Sequence, residues 1–222
     1  MPHGWSRSLL ALLFNVLLIS PNSGAFDFPL SDTAVRSAYF LGQRHDISMA
    51  QFLDRYTRHL RAPKTGPYIS SITLRTPYSQ VVEYSNLYIG NLSAQQVELD
   101  HRQATDTVRV IAGIELTPSY GPFVSSDGTT VAFNRFGAKQ RSSDFWRDFN
   151  VIFLEGNSPR NPVFVSGRPN FYCSEGGNCI LAGASIEFDF QPESLMSDTL
   201  TVQITPPEGD LVFVDFPLDS LR

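Results

Sequence analysis

From Tyr68 onward the apolar residues of this chain recur at every second position, and that period limits what it can fold into. In TVRVIAGIEL (107–116), Val108, Val110, Ala112, Ile114 and Leu116 fall on one side. Ile72 and Leu74 alternate with Thr73 and Arg75, and in TLTVQIT (199–205) Leu200, Val202 and Ile204 alternate with polar residues. IEFDF (186–190) points Ile186, Phe188 and Phe190 one way and Glu187 and Asp189 the other. Alternate side chains of a strand face opposite sides, so each segment predicts a half-buried strand. FNVIFL (149–154) and LVFVDF (211–216) are nearly continuous apolar runs and predict central strands covered on both faces. SSDGTT (125–130) and TPPEGD (205–210) carry hairpin-turn residues. About eight or nine short strands cut by Gly and Pro turns predict a mainly β (α+β) fold. The expected architecture is an antiparallel sandwich or a partly closed barrel.

Before residue 68 the period is helical. LSDTAVRSAYFLGQ (30–43) spaces Val35, Ala38 and Tyr39 at i, i+3 and i+4, with Ser31 or Asp32 as N-cap. ISMAQFLDRYTRHL (47–60) has a Ser48–Gln51 capping box and an apolar stripe of Met49, Phe52, Leu53, Tyr56 and Leu60. Asp54 and Arg58 are expected to pair across one turn of that helix. Ala62-Pro63 ends it. The expectation is a helical segment over 26–63, too small to stand alone, docked through Tyr39, Phe52 and Tyr56 on a β-rich body over 68–222. LSAQQVELDHRQ (92–103) interrupts the strands as a short helix capped by Ser93.

Residues 1–25 read as a cleaved signal peptide. Arg7 precedes the apolar run Leu9 to Ile19, and Ser23 and Ala25 offer small residues for cleavage. The run is about half of the ~20 residues that span a bilayer, so no stable membrane insertion is expected after cleavage. The remaining 26–222 suit a single mature domain, secreted or periplasmic. Residues 26–142 carry 12 Lys and Arg against 10 Asp and Glu, whereas 143–222 carry 4 arginines against 12 acids. An acidic half of this kind disfavours nucleic acid, whose phosphates call for a basic face.

Candidate chemistry is sparse. Cys173 and Cys179, in FYCSEGGNCILAG, are the two cysteines of the chain. In an exported protein this short spacing predicts a disulfide closing a hairpin tip, rather than a metal or redox site. The expected stabilisation is about 2.4 kcal/mol for a loop of about 7 residues. No metal site and no cofactor are expected, because neither cysteine has companion ligands at zinc spacing. His45, His59 and His101 read individually as structural, though His45 or His101 beside an acid could form a site. Asn91 heads an N-L-S glycosylation acceptor, relevant only in a eukaryotic source; the excess of Arg over Lys hints at a bacterial one.

SSDFWRDF (142–149) holds Trp146, the one tryptophan after residue 25, flanked by Phe145 and Arg147. Exposed, the three would make a partner-binding group; buried, Phe145 and Trp146 would anchor the turn into the next strand. Glu187 and Asp189 project from one face of a strand about 7 Å apart, compatible with acid–base work on a sugar or with a hard cation. No G-x-S-x-G elbow, S-x-x-K, H-E-x-x-H or phosphate loop is present. The residues therefore predict a non-catalytic binding protein of the envelope or extracellular space, with a protein or polysaccharide partner. The alternative is a secreted hydrolase or carbohydrate-active enzyme using Glu187 and Asp189.

Overall fold

A computed structural model describes residues 26–44, 46–120, 123–125, 139–175 and 179–222. The expected leader, His45 and most of the turn at 125–130 lie outside the described residues. The fold is broadly α+β and mostly β, with two sheets and four α-helices and no closed barrel among the described residues.

The larger sheet has seven strands. β1 (Thr57–His59), β2 (Pro67–Arg75), β3 (Val108–Leu116) and β9 (Cys179–Phe190) are neighbours in that order. β4 (Phe123–Ser125) and β5 (Lys139–Arg141) continue beyond β9, and β8 (Phe164–Cys173) pairs with β9 as well. All its pairings are antiparallel except β4 with β5. The smaller, antiparallel sheet runs β11 (Val212–Pro217), β10 (Thr199–Thr205), β6 (Asn150–Glu155), β7 (Ser158–Arg160).

The alternation read in the sequence becomes the core. Val108, Val110, Ala112 and Ile114 of β3, Ile186, Phe188 and Phe190 of β9, and Leu200, Val202 and Ile204 of β10 are all buried in one cluster. The ring of Phe153 on β6 meets Phe188 and Phe190 edge-on, at 4.9 and 4.8 Å between centroids, joining the sheets. The hairpin at TPPEGD links β10 to β11, with Gly209 at positive φ in the turn. The two continuous apolar runs behave differently from expectation. β11 lies at a sheet edge, with Val214 and Phe216 inward and Phe213 60% exposed. β6 is paired on both sides, yet it buries Phe153 while leaving Ile152 exposed. No described residue buries Ile152 or Phe213 on the second face, so these runs alternate in burial without alternating in polarity.

α1 (Asp32–Gly42) begins as expected, with Ser31 Oγ accepting from the Ala34 N–H. α2 (Ile47–Asp54) is capped by Asp46 rather than Ser48, because Asp46 Oδ1 accepts the Ser48 N–H at 2.9 Å. It also stops six residues early. Thr57, Arg58 and His59 form β1 against Ser71 to Thr73 instead, with the two threonine hydroxyls 3.0 Å apart across the pair. The open edge of β2 thus overrides the helical period. Asp54 consequently lies near His59, and Arg58 sits over the Phe216 ring.

α3 (Pro77–Leu87) is a helix that the period count missed. Thr76 caps it, Pro77 opens it, and Tyr78, Val81, Val82 and Ser85 form its buried face. α4 (Ala94–Gln103) is capped by Ser93, as its sequence implied. The Gln96 side-chain amide donates to Asp100, one turn on. α1, α3 and α4 share a second cluster built on Val35, Ala38, Tyr78, Val82 and Val97, so α1 rests on helices rather than on a sheet. Phe52 packs against both clusters, and Tyr56 is buried in the sheet core.

Candidate functional site

The features singled out in the middle and late sequence converge on the β8–β9 hairpin. Cys173 and Cys179 form a disulfide at its end, with no free cysteine among the described residues. The bond joins opposed residues at the last rung of the ladder, where Cys173 pairs with Cys179. Phe145, Trp146 and Arg147 sit on a short 3-10 turn (Phe145–Asp148) that packs on β8. Phe145 is only 3% exposed, and its ring lies under the Arg141 guanidinium at 4.9 Å. Trp146 is half-buried. Its indole covers Gly167 of β8 so closely that a Cβ on that glycine would fall 2.4 Å from Cδ2 and Cε2. Arg147 is exposed and stands over the indole, 4.9 Å from the ring to its guanidinium carbon. The three residues thus divide into an anchor, a brace and an exposed cation.

β8 itself has β9 as its strand partner, and no described strand pairs with its outer edge. Pro169, opposite Ala184, lacks an N–H and can sit only where the backbone faces away from β9. Between Phe164 and Asn170 the register is unbroken, so Val165 and Gly167 also direct N–H and C=O outward. Phe164 (58% exposed), Val165 (46%), Phe171 and Tyr172 (67%) surround that edge. An open edge carrying both backbone hydrogen-bonding groups and large apolar side chains can take up an extended chain. Arg168 and Pro169 in its middle are residues that limit uncontrolled pairing.

Glu187 and Asp189 share one face of β9, as alternation requires, but both carboxylates are occupied. Arg109, opposite Asp189 on β3, makes a two-pronged pair with it at 2.6 and 3.0 Å and lies 3.6 Å from Glu187. Arg168 of β8 holds Glu187 at 2.7 Å. Hydrogen bonding to Asp189 is the main influence raising the Arg109 pKa above its usual value. Carboxylates held this way by two arginines suit a brace between strands better than proton transfer.

The histidines separate. His59 is exposed and 3.9 Å from Asp54. His101, at the end of α4, places Nδ1 3.5 Å from Asp106 Oδ1, in a pair where both side chains are mostly covered. Asp106 was invisible to sequence reasoning as a partner, although its position five residues on from a helical histidine is the kind of spacing a helix end can fold together. Burial pushes the Asp106 carboxyl up, His101 opposes that, and Glu193 adds to it. Among the described residues, no three His, Cys, Asp or Glu side chains converge as metal ligands. No described helix is long and apolar enough to cross a membrane.

No protein-family model matches the chain, and no curated protein matches it. The functional reading therefore rests on the arm and its surroundings alone.

Proposed function

We propose that this is an exported binding protein whose residues 26–222 form one mature domain, with its two sheets stacked as a sandwich, and whose β8 edge receives an extended segment of a partner protein. The observation that carries this is the open outer edge of β8, with Val165 and Gly167 offering backbone groups between Phe164, Phe171 and Tyr172. A polypeptide strand matches that edge in hydrogen-bond spacing, and its alternate side chains meet the exposed aromatics. A polysaccharide has no such ladder to offer, and the carboxylates best suited to bind one are already paired with Arg109 and Arg168. The same pairing leaves hydrolysis by Glu187 and Asp189 the weaker reading. The disulfide suits an oxidising compartment, which agrees with the leader-like residues 1–25.

Photo-crosslinking amino acids placed at Phe164 and Tyr172, with Leu87 on the far helix face as control, test the reading in the native host. The expected result is one protein captured from both β8 positions, through a single contiguous peptide, and not from position 87. Val165→Pro removes an outward N–H without touching the β9 ladder and should abolish that capture. Capture that survives Val165→Pro, equal capture from position 87, or a crosslink to a second copy of this chain would each overturn it.

A further inference from the structure

A cleft of about 290 Å³ opens between α3, α4 and the loop at 104–107, far in chain order from β8. Small-molecule sites span about 300–1,000 Å³, so this one suits a ligand at the small end. Pro77, Val81 and Val97 give its lining an apolar part. Asp100 and Asp106 add two carboxylates. Asp100 is committed within the protein, accepting the Tyr84 hydroxyl at 3.2 Å and the Gln96 amide at 2.7 Å. Asp106 meets His101 through one oxygen at 3.5 Å, Glu193 acts on it from nearby, and no described residue hydrogen-bonds its second oxygen. No Lys or Arg stands among the described residues lining the cleft.

Two acids against one histidine, among apolar side chains, make a concavity that combines negative charge with apolar surface. We propose that this cleft binds a small organic ammonium ion, its charged head on Asp106 and its apolar body against Pro77, Val81 and Val97. An ammonium donates up to three hydrogen bonds and brings a positive charge to the half-buried carboxylate. A neutral alcohol of the same shape supplies the apolar body and no charge, and a carboxylate is repelled by both acids. His101 also lines the cleft, and its Nδ1, 3.5 Å from Asp106 Oδ1, helps to orient that carboxylate. The inference is independent of any partner at β8.

Isothermal titration of the protein at neutral pH with phenethylamine, 2-phenylethanol and phenylacetate tests it. The amine should bind at least about tenfold tighter than the alcohol, the difference expected of a charge-assisted hydrogen bond, and phenylacetate should give no heat. Asp106→Asn should remove the preference for the amine while leaving the weak alcohol binding in place. Should that variant unfold, Ala104→Trp, made at an exposed position on the rim, fills the cleft and keeps both carboxylates. It should eliminate amine binding. No heat from the amine at millimolar concentration overturns the proposal, as does equal affinity for amine and alcohol, or amine binding that survives Ala104→Trp.

Discussion

Alanine at position 167 should unseat Trp146, and the size of the effect follows from the packing of the β8–β9 arm. The new Cβ would fall 2.4 Å from two indole carbons and 2.7 Å from a third, against the roughly 3.5–4.0 Å of a relaxed carbon contact. The ring must therefore retreat by more than about 1 Å, and crowding of this kind costs about 1–3 kcal/mol. Gly167 is not among the glycines at positive φ, so alanine brings no backbone strain. It narrows the unfolded ensemble instead, returning about 0.4–1 kcal/mol. The net loss is up to about 2.6 kcal/mol, or a fall of up to roughly 10 °C in Tm for a chain of this length. In the chain from Phe26, Trp146 is the sole tryptophan, so its emission reports the displacement directly and should shift to longer wavelength. Trp146→Leu removes the obstacle, and in that background Gly167→Ala should become neutral or slightly stabilising, a coupling that a double-mutant cycle reads as about 1 kcal/mol or more. Unchanged emission and Tm in Gly167→Ala, or the same loss in the Trp146→Leu background, would refute the bracing role.

Two further outcomes follow from polar and covalent anchors. Glu155 is buried on β6, where burial raises its carboxyl pKa but the Ser197 N–H, the Arg160 guanidinium and the Met196 N–H together hold it below the ordinary value. Its contribution to stability is complete above about pH 4.3 and is lost as pH falls through the lower folded value. Glu155→Gln should therefore cost about 1–3 kcal/mol at pH 7 and narrow the gap to wild type on acidification, as read from urea midpoints across pH. A constant gap down to the acid limit would contradict that account. Replacing Cys173 and Cys179 together by serine should lower stability by about 2.4 kcal/mol, the entropy of a short loop. Hydrogen exchange should quicken at the hairpin end and not in β3; acceleration throughout the sheet would mean the bond supports far more than the tip.

Much of the β architecture can be read from the chain because half-buried strands write their burial into every second residue. β3, β9 and β10 are of this kind, and so is the Cys-bounded hairpin. β6 and β11 mislead because their exposed faces carry Ile152 and Phe213, where polar residues would mark solvent. α2 ends early for a reason outside its own sequence: the edge of β2 offers Thr57 to His59 better pairing than another helical turn. α3 did carry a signal, a Thr-Pro start and a Tyr78, Val82, Ser85 spacing, which the surrounding strand alternation concealed. At the site, the local features are legible and the long-range ones are not. Arg109 neutralises Asp189 across 80 positions, and no pattern within either segment announces it. Gly167 beneath Trp146 is equally silent until the two segments are laid together.

The place of β9 in the chain has a consequence for the order in which the protein can assemble. That strand touches β3, β4 and β8, yet it begins only at Cys179, after all three have been made. Residue 108 waits for residue 190 before the second edge of β3 is paired. Contacts so distant in sequence are slow to form, since the ordering of the intervening chain comes before the gain from pairing. On the proposed export route, a chain threaded N-terminus first delivers β9 only after β3, β4 and β8 have passed. Until it arrives, the large sheet lacks the strand that joins them.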